Sequence, residues 1–172
     1  MNQPTQSLSF PEAIAKTQAL MQQMQESQLS ESNIENAIAN LVQTQAGARG
    51  FFVAYLTGEL PLADNPTEGV IKGLKSAPAT VSDLLVKNVA MSAGMKLTHL
   101  RNSDRTAAAG SQRVNSRTIN LIQQLQTAEV EDEIKELQST IIKGEGSYKK
   151  FLTKWGYDEE QLEEIKKAIS SI

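Results

Sequence analysis

The sequence contains no cysteine and a single histidine, His99. Without cysteine there is no disulfide, thiolate metal site or cysteine nucleophile, and such a composition suits a reducing cytoplasm. One histidine cannot build a histidine-rich metal centre, and no partner for acid–base catalysis stands beside it in the sequence. We therefore expect no catalytic residue, no cofactor and no metal site, and an enzyme is the less favoured class.

Aromatic residues make up 5% of the chain, and the longest apolar run is FFVAYL, residues 51–56. That run is far shorter than the roughly 20 residues that cross a bilayer. The first ten residues, MNQPTQSLSF, lack the basic segment and the apolar core of a signal peptide. The sequence predicts a cytoplasmic protein that does not enter a membrane and whose core is mainly aliphatic.

Apolar residues recur at intervals of three and four along most of the chain, and no convincing alternating pattern indicates a strand. Ser9 and Glu12 have capping-box spacing at the start of the first helix. From Ser32 the helical spacing continues without interruption, which predicts one long helix ending before Gly58. Two glycine-containing segments, AGARG at 46–50 and AAAG at 107–110, are predicted to let helices cross closely.

Further helix boundaries follow from caps and breakers. Asp64 or Asn65 is expected to cap a short helix that Pro78 ends. Later helices are predicted from Thr80 to Leu100, from Arg105 to about residue 127, and over 128–143 with Thr127 as a possible cap. After the KGEG linker, Ser147 is expected to cap a short helix, and Asp158 with Gln161 to open the last one.

Together these elements predict an all-α fold, an antiparallel helical bundle with a C-terminal helical hairpin. The bundle domain is predicted over 1–143, with 1–8 disordered, and the linker and docked hairpin over 144–172. Trp155 and Tyr157 bracket a glycine at the hairpin turn, where they either pack on the bundle or anchor an interface. Asn88 falls on an inward frame, where a polar residue specifies register or oligomeric state, or lines a ligand cavity.

Charge is segregated along the chain, although the net charge is only -3. Residues 1–60 carry two basic and five acidic groups, 61–127 carry eight and four, and 128–172 carry seven and eleven. The segment RNSDRTAAAGSQRVNSR at 101–117 contains four arginines and one acid. Its RNSD start has the chemistry of a tight helical corner. The candidate anion- or partner-binding residues are Arg101, Arg105, Arg113 and Arg117.

Three interpretations of these arginines remain open. They pair with acids of neighbouring helices, they bind a phosphate ligand or nucleic acid, or they bind an acidic protein. Interleaved aromatic residues, on which bases would stack, are missing, which disfavours nucleic acid. The sequence therefore predicts a non-catalytic adaptor or assembly factor that binds another protein or itself, as a homodimer. The alternative is nucleic-acid or phosphate binding through residues 101–117.

Overall fold

The structure of the protein is a computed structural model that describes residues 7–172. Within these residues there are nine α-helices and one short 3-10 helix, and no strand. The predicted all-α fold is confirmed, with helix packing that fits a helical bundle. The predicted disorder of 1–8 falls mostly on residues 1–6, which lie outside the described residues.

The helices are short to medium in length, and most begin at a capping residue that the sequence supplies locally. The bounds are α1 Phe10–Gln25, α2 Glu31–Val42, α3 Gln45–Thr57, the 3-10 helix Pro61–Asp64, α4 Glu68–Lys75, α5 Pro78–Arg101, α6 Arg105–Leu125, α7 Ala128–Lys143, α8 Lys149–Trp155 and α9 Glu159–Ser170.

The chain forms two compact units, one ending at Val81 and the other spanning Ser82–Ile172. The division falls near the start of α5, so α1 to α4 belong to the first unit and α6 to α9 to the second. The predicted division into a bundle to residue 143 and a hairpin domain from 144 stays a prediction.

In the first unit, α1 packs on α3 and α2 packs on α4. Glycines stand where these helices cross. A Cβ atom added at Gly50 would lie 2.5 Å from Cβ of Ala13 and 2.9 Å from the carbonyl oxygen of Phe10. A Cβ at Gly73 would lie 2.8 Å from Cβ of Ile38. The predicted close approach at AGARG is therefore confirmed, because a side chain at Gly50 would occupy the space of α1.

The prediction of one long helix up to Gly58 is wrong. The chain leaves the helix after Val42, and Thr44 adopts an extended backbone with φ −116° and ψ 155°. Its hydroxyl accepts a hydrogen bond from the Gly47 amide at 3.0 Å, which caps a new helix. The apolar spacing continues through this break, so periodicity alone did not reveal it. The preceding helix is capped by Ser30, which accepts from the Asn33 amide, and not by Ser32.

Two further boundaries differ from the predicted ones. Thr67 is the N-terminal cap of α4, whereas Asp64 lies in the 3-10 helix. Pro78 begins α5 and does not end the preceding helix, which stops at Lys75. A proline fits the first turn because the amide that it lacks has no partner within the helix there.

In the second unit, two sharp corners separate α5, α6 and α7. Ser103 has φ 58°, and the Asp104 carboxylate accepts from the Ala107 amide at 3.0 Å. The predicted corner at RNSD is confirmed. At the next corner, Gln126 has φ 49° and Thr127 caps α7. Each corner therefore combines one left-handed residue with a side-chain cap.

The C-terminal hairpin is held in this unit by polar side chains. The buried Tyr148 hydroxyl donates to Glu133 of α7 and lies 3.4 Å from Oδ1 of Asp83 of α5. Burial, with Glu133 and Asp83 beside the hydroxyl, raises the pKa of Tyr148 well above its usual range, so it remains a donor. The predicted capping box of Asp158 and Gln161 is confirmed. Ser147 does not cap α8, since its hydroxyl donates to Glu136.

Candidate functional site

The arginine-rich segment 101–117 divides between two helices. Arg101, the last residue of α5, donates from Nη1 to Oδ2 of Asp158 and from Nη2 to Oε2 of Glu160, both at 2.6 Å. The guanidinium of Arg101 lowers the pKa of the Asp158 carboxyl. This geometry matches the first interpretation for Arg101, in which the arginine pairs with acids of a neighbouring helix.

The other three arginines lie on α6 and differ in burial. Arg105 and Arg113 are exposed, whereas Arg117 is only 3% exposed. Arg113 and Arg117 both have interaction partners. The structure therefore does not gather the four side chains on one exposed surface, and anion binding through them stays a prediction.

The predicted interface residues lie in different surroundings. Trp155 ends α8 and is 44% exposed, while Tyr157 is half-buried against Gly94 of α5. Burial raises the pKa of Tyr157 to about 12. Asn88 is half-buried on α5. An interface role for these three residues stays a prediction.

A buried polar contact that the sequence reasoning missed joins α5 to α6. Asn115 is 8% exposed and donates from Nδ2 to the carbonyl of Val89 at 3.2 Å and to the hydroxyl of Ser92 at 3.0 Å. It also lines a small cleft of about 230 Å³ between α5, α6 and α9. Asn115 is followed by the polar residues Ser116 and Arg117, so the sequence did not indicate that its side chain faces inward.

A groove of about 490 Å³ lies in the second unit between the end of α6, α7 as far as Gln138, and the end of α9. It exists because the left-handed Gln126 and the cap at Thr127 turn the chain sharply between α6 and α7. Ile169 of α9 is buried beside it. The lining residues are Ile122, Gln123, Gln126, Thr127, Val130, Glu131, Ile134, Lys135, Gln138, Ile169, Ser170 and Ile172.

The groove has an apolar floor and a mainly uncharged polar rim. Ile122, Val130 and Ile169 are buried in its floor, and Ile134 is half-buried. Three glutamines line it, together with one acid, Glu131, and one base, Lys135. Apolar floors with polar edges are typical of surfaces that receive an amphipathic helix.

Within residues 7–172, no group of three or more histidine, cysteine, aspartate or glutamate side chains is placed to hold a metal ion. Among the described helices, none has both the length and the apolar character needed to cross a membrane.

Searches of curated proteins and of solved structures found no match to the chain. The family described as Uncharacterised conserved protein UCP020893 matches residues 9–172, which include all nine helices of the structure. The chain therefore belongs to that family.

Proposed function

We propose that the protein is a non-catalytic binding protein, an adaptor or assembly factor, whose groove between α6, α7 and α9 receives an amphipathic helix of another protein or of a second copy. The observation that carries this proposal is the groove itself, whose floor is apolar and buried and whose half-buried Ile134 and Ile172 keep apolar surface exposed. Exposed apolar surface with a polar rim marks interaction sites on proteins. Since the chain lacks cysteine, we place this interaction in the cytoplasm.

The lining chemistry favours a helix over an anion. Glu131 and Lys135 contribute opposite charges, so the lining side chains have no net charge that would attract phosphate. Glutamine side chains such as Gln138 both donate and accept hydrogen bonds, which suits the polar edge of a bound helix.

Site-specific photo-crosslinking in living cells tests the proposal. The crosslinking residue p-benzoylphenylalanine replaces Gln138 in the groove, and in a matched control it replaces the exposed Glu129 on the same helix. Nine residues separate the two positions, so they project from opposite sides of α7. We expect a discrete crosslinked species from position 138, mapped by mass spectrometry to an amphipathic helix, and several-fold less from position 129. Equal crosslinking at both positions, or none at 138, would contradict the proposal.

A further inference from the structure

We propose that the occupant of the groove is α7 of a second copy of this chain, packed antiparallel, with the two-fold axis passing beside Gln138. This inference rests on the proposed function, because it names the partner of the same groove. In such a dimer each copy gives the same surface to the other, as two-fold symmetry requires.

The groove-facing side of α7 continues beyond the groove to an exposed isoleucine. Glu131, Lys135, Gln138 and Ile142 follow one another at intervals of four, three and four, so they share one side of the helix. The first three line the groove. Ile142 is 72% exposed, although it is a large apolar residue. This side of α7 therefore carries both the lining of the groove and Ile142, an apolar side chain exposed to solvent.

Antiparallel pairing about Gln138 satisfies both features at once. Ile142 lies four positions after the axis and Ile134 lies four positions before it, so Ile142 of each copy faces Ile134 of the other. Ile134 is part of the groove lining. Gln138 faces Gln138 of the other copy, and two glutamine amides hydrogen-bond to each other as donor and acceptor.

Charge favours the same direction of pairing. Residues 126–133 contain four acids and no base, a net charge of -4. At the other end of α7, its last residue Lys143 lies as far beyond Gln138 as Glu133 lies before it. Antiparallel pairing sets Lys143 of each copy against Glu133 of the other, whereas parallel pairing sets the two acidic helix starts against each other. The acids of the first segment are Glu129, Glu131, Asp132 and Glu133.

The size of the contact sets the expected affinity. The 16 residues of α7 span about 24 Å. One helix pair covers less than the ~800 Å² per partner of a standard interface, so the rims from α6 and α9 must add to it. We therefore expect a dissociation constant in the micromolar range, which rises with salt because the end segments attract electrostatically.

Sedimentation equilibrium of the full chain tests the inference at protein concentrations from about 1 to 300 µM, a range that brackets micromolar affinity. We expect the wild-type chain to dimerise and Ile142→Lys to raise the dissociation constant at least ~10-fold, because each dimer then buries two unpaired ammonium groups. Leu100→Lys is the matched control. Leu100 is also a large exposed apolar residue, at 48%, but it lies on α5 and does not line the groove.

A charge-pair complementation tests the register. Gln138→Glu and Gln138→Lys should each weaken the homodimer, since each places two like charges on the axis. An equimolar mixture of the two should recover a heterodimer at least as tight as the wild type. A second mixture, Ile142→Lys with Ile134→Glu, should recover partly, because in one of its two facing pairs the introduced ammonium meets the introduced carboxylate. Circular dichroism checks that each variant is folded.

The outcomes separate this inference from the proposed function. A wild-type chain that is monomeric up to about 300 µM overturns the second-copy inference, since a micromolar dimer would be populated there. An Ile142→Lys variant that dimerises like the wild type also overturns it, as does a Leu100→Lys variant that is weakened equally. If the chain is monomeric but position 138 crosslinks to a different protein, the groove function stands and only its partner changes. If position 138 crosslinks to nothing, the groove function itself falls.

Discussion

The two units of the molecule hold their helices together in different ways. In the first unit, helices meet backbone to backbone at glycines: Gly50 of α3 faces α1, while Gly69 and Gly73 of α4 face α2. In the second unit, helices are joined by polar side chains. Asn115 joins α6 to α5, and Tyr148 connects the α8 end of the hairpin to α7.

The groove between α6, α7 and α9 lies in the second unit, and no glycine is among its lining residues. Helices in contact at glycines leave no space between them, because an added Cβ atom already collides. Around the start of α7 the lining side chains instead leave an open, apolar-floored groove.

The largest expected effect on stability comes from a substitution at Gly50. Gly50→Ala places a methyl group 2.5 Å from Cβ of Ala13 and 2.9 Å from a backbone oxygen, so α1 and α3 must separate. Overpacking of this kind costs about 1–3 kcal/mol, and we expect the upper end because a backbone atom cannot rotate away. Urea denaturation followed by circular dichroism measures the change in the free energy of unfolding.

Gly110→Ala is the matched control for Gly50→Ala. Gly110 also lies inside a helix, but an added Cβ atom meets nothing within 4 Å. Alanine there should stabilise the protein by roughly 0.5–1 kcal/mol through helix propensity alone. Destabilisation by both substitutions would show that the glycines act through the backbone and not through the helix crossing.

In the second unit, the corresponding test is Asn115→Ala. The substitution removes two buried hydrogen bonds, one to the Val89 carbonyl and one to the Ser92 hydroxyl, which still donates to the Asn88 carbonyl. We expect a loss of about 1–3 kcal/mol, because each of the two hydrogen bonds contributes about 0.5–1.5 kcal/mol. Thermal and urea unfolding provide the measurement. The exposed Gln124→Ala on the same helix should change stability by less than about 0.5 kcal/mol, and an equal loss there would contradict a special role for burial.

Sequence reasoning identified several helix boundaries that neighbours in the chain set. The caps at Ser9, Thr127 and Asp158 and the corner at RNSD were predicted, because a cap is a contact over three residues. The caps expected at Ser32, at Asp64 or Asn65 and at Ser147 were not found. The helices over 105–125 and 128–143 were predicted for the same reason. The break at Thr44 was missed because the apolar spacing runs through it. The capping threonine also stands between two glutamines, so it does not stand out as a helix start.

Sequence reasoning failed where the outcome depends on which helix lies opposite. The segments AGARG and AAAG look alike, yet only the glycines of AGARG lie close to another helix. An added Cβ atom at Gly47 would meet α2 and one at Gly50 would meet α1, whereas one at Gly110 meets nothing within 4 Å, so the predicted crossing is wrong there. The arginines of 101–117 look equivalent as well, but Arg117 is buried while Arg105 is exposed. The groove was not predicted because its lining comes from α6, α7 and α9 together.

The smallest expected effect concerns the exposed ion pair between Arg101 and Asp158, which joins α5 to the start of α9. Hydrogen bonding from Arg101 lowers the pKa of Asp158, so the folded value lies below the unfolded value of about 3.9. A lowered carboxyl pKa contributes stability that is present above the unfolded pKa and is lost as the pH falls through the folded pKa. Arg101→Gln should therefore be less stable than the wild type near neutral pH and equal to it at strongly acidic pH.

Urea denaturation from about pH 7 down to about pH 2, on both sides of the carboxyl pKa, measures this difference. We expect the change near neutral pH to be smaller than that of Gly50→Ala or Asn115→Ala, because water and salt screen an exposed pair. Arg105→Gln, four residues later and also exposed, is the matched control and should not show the same pH dependence. A gap between wild type and Arg101→Gln that stays constant across the range would mean that Arg101 acts through packing of its aliphatic stem, and that α9 is held against α5 by Gln161 and not by charge.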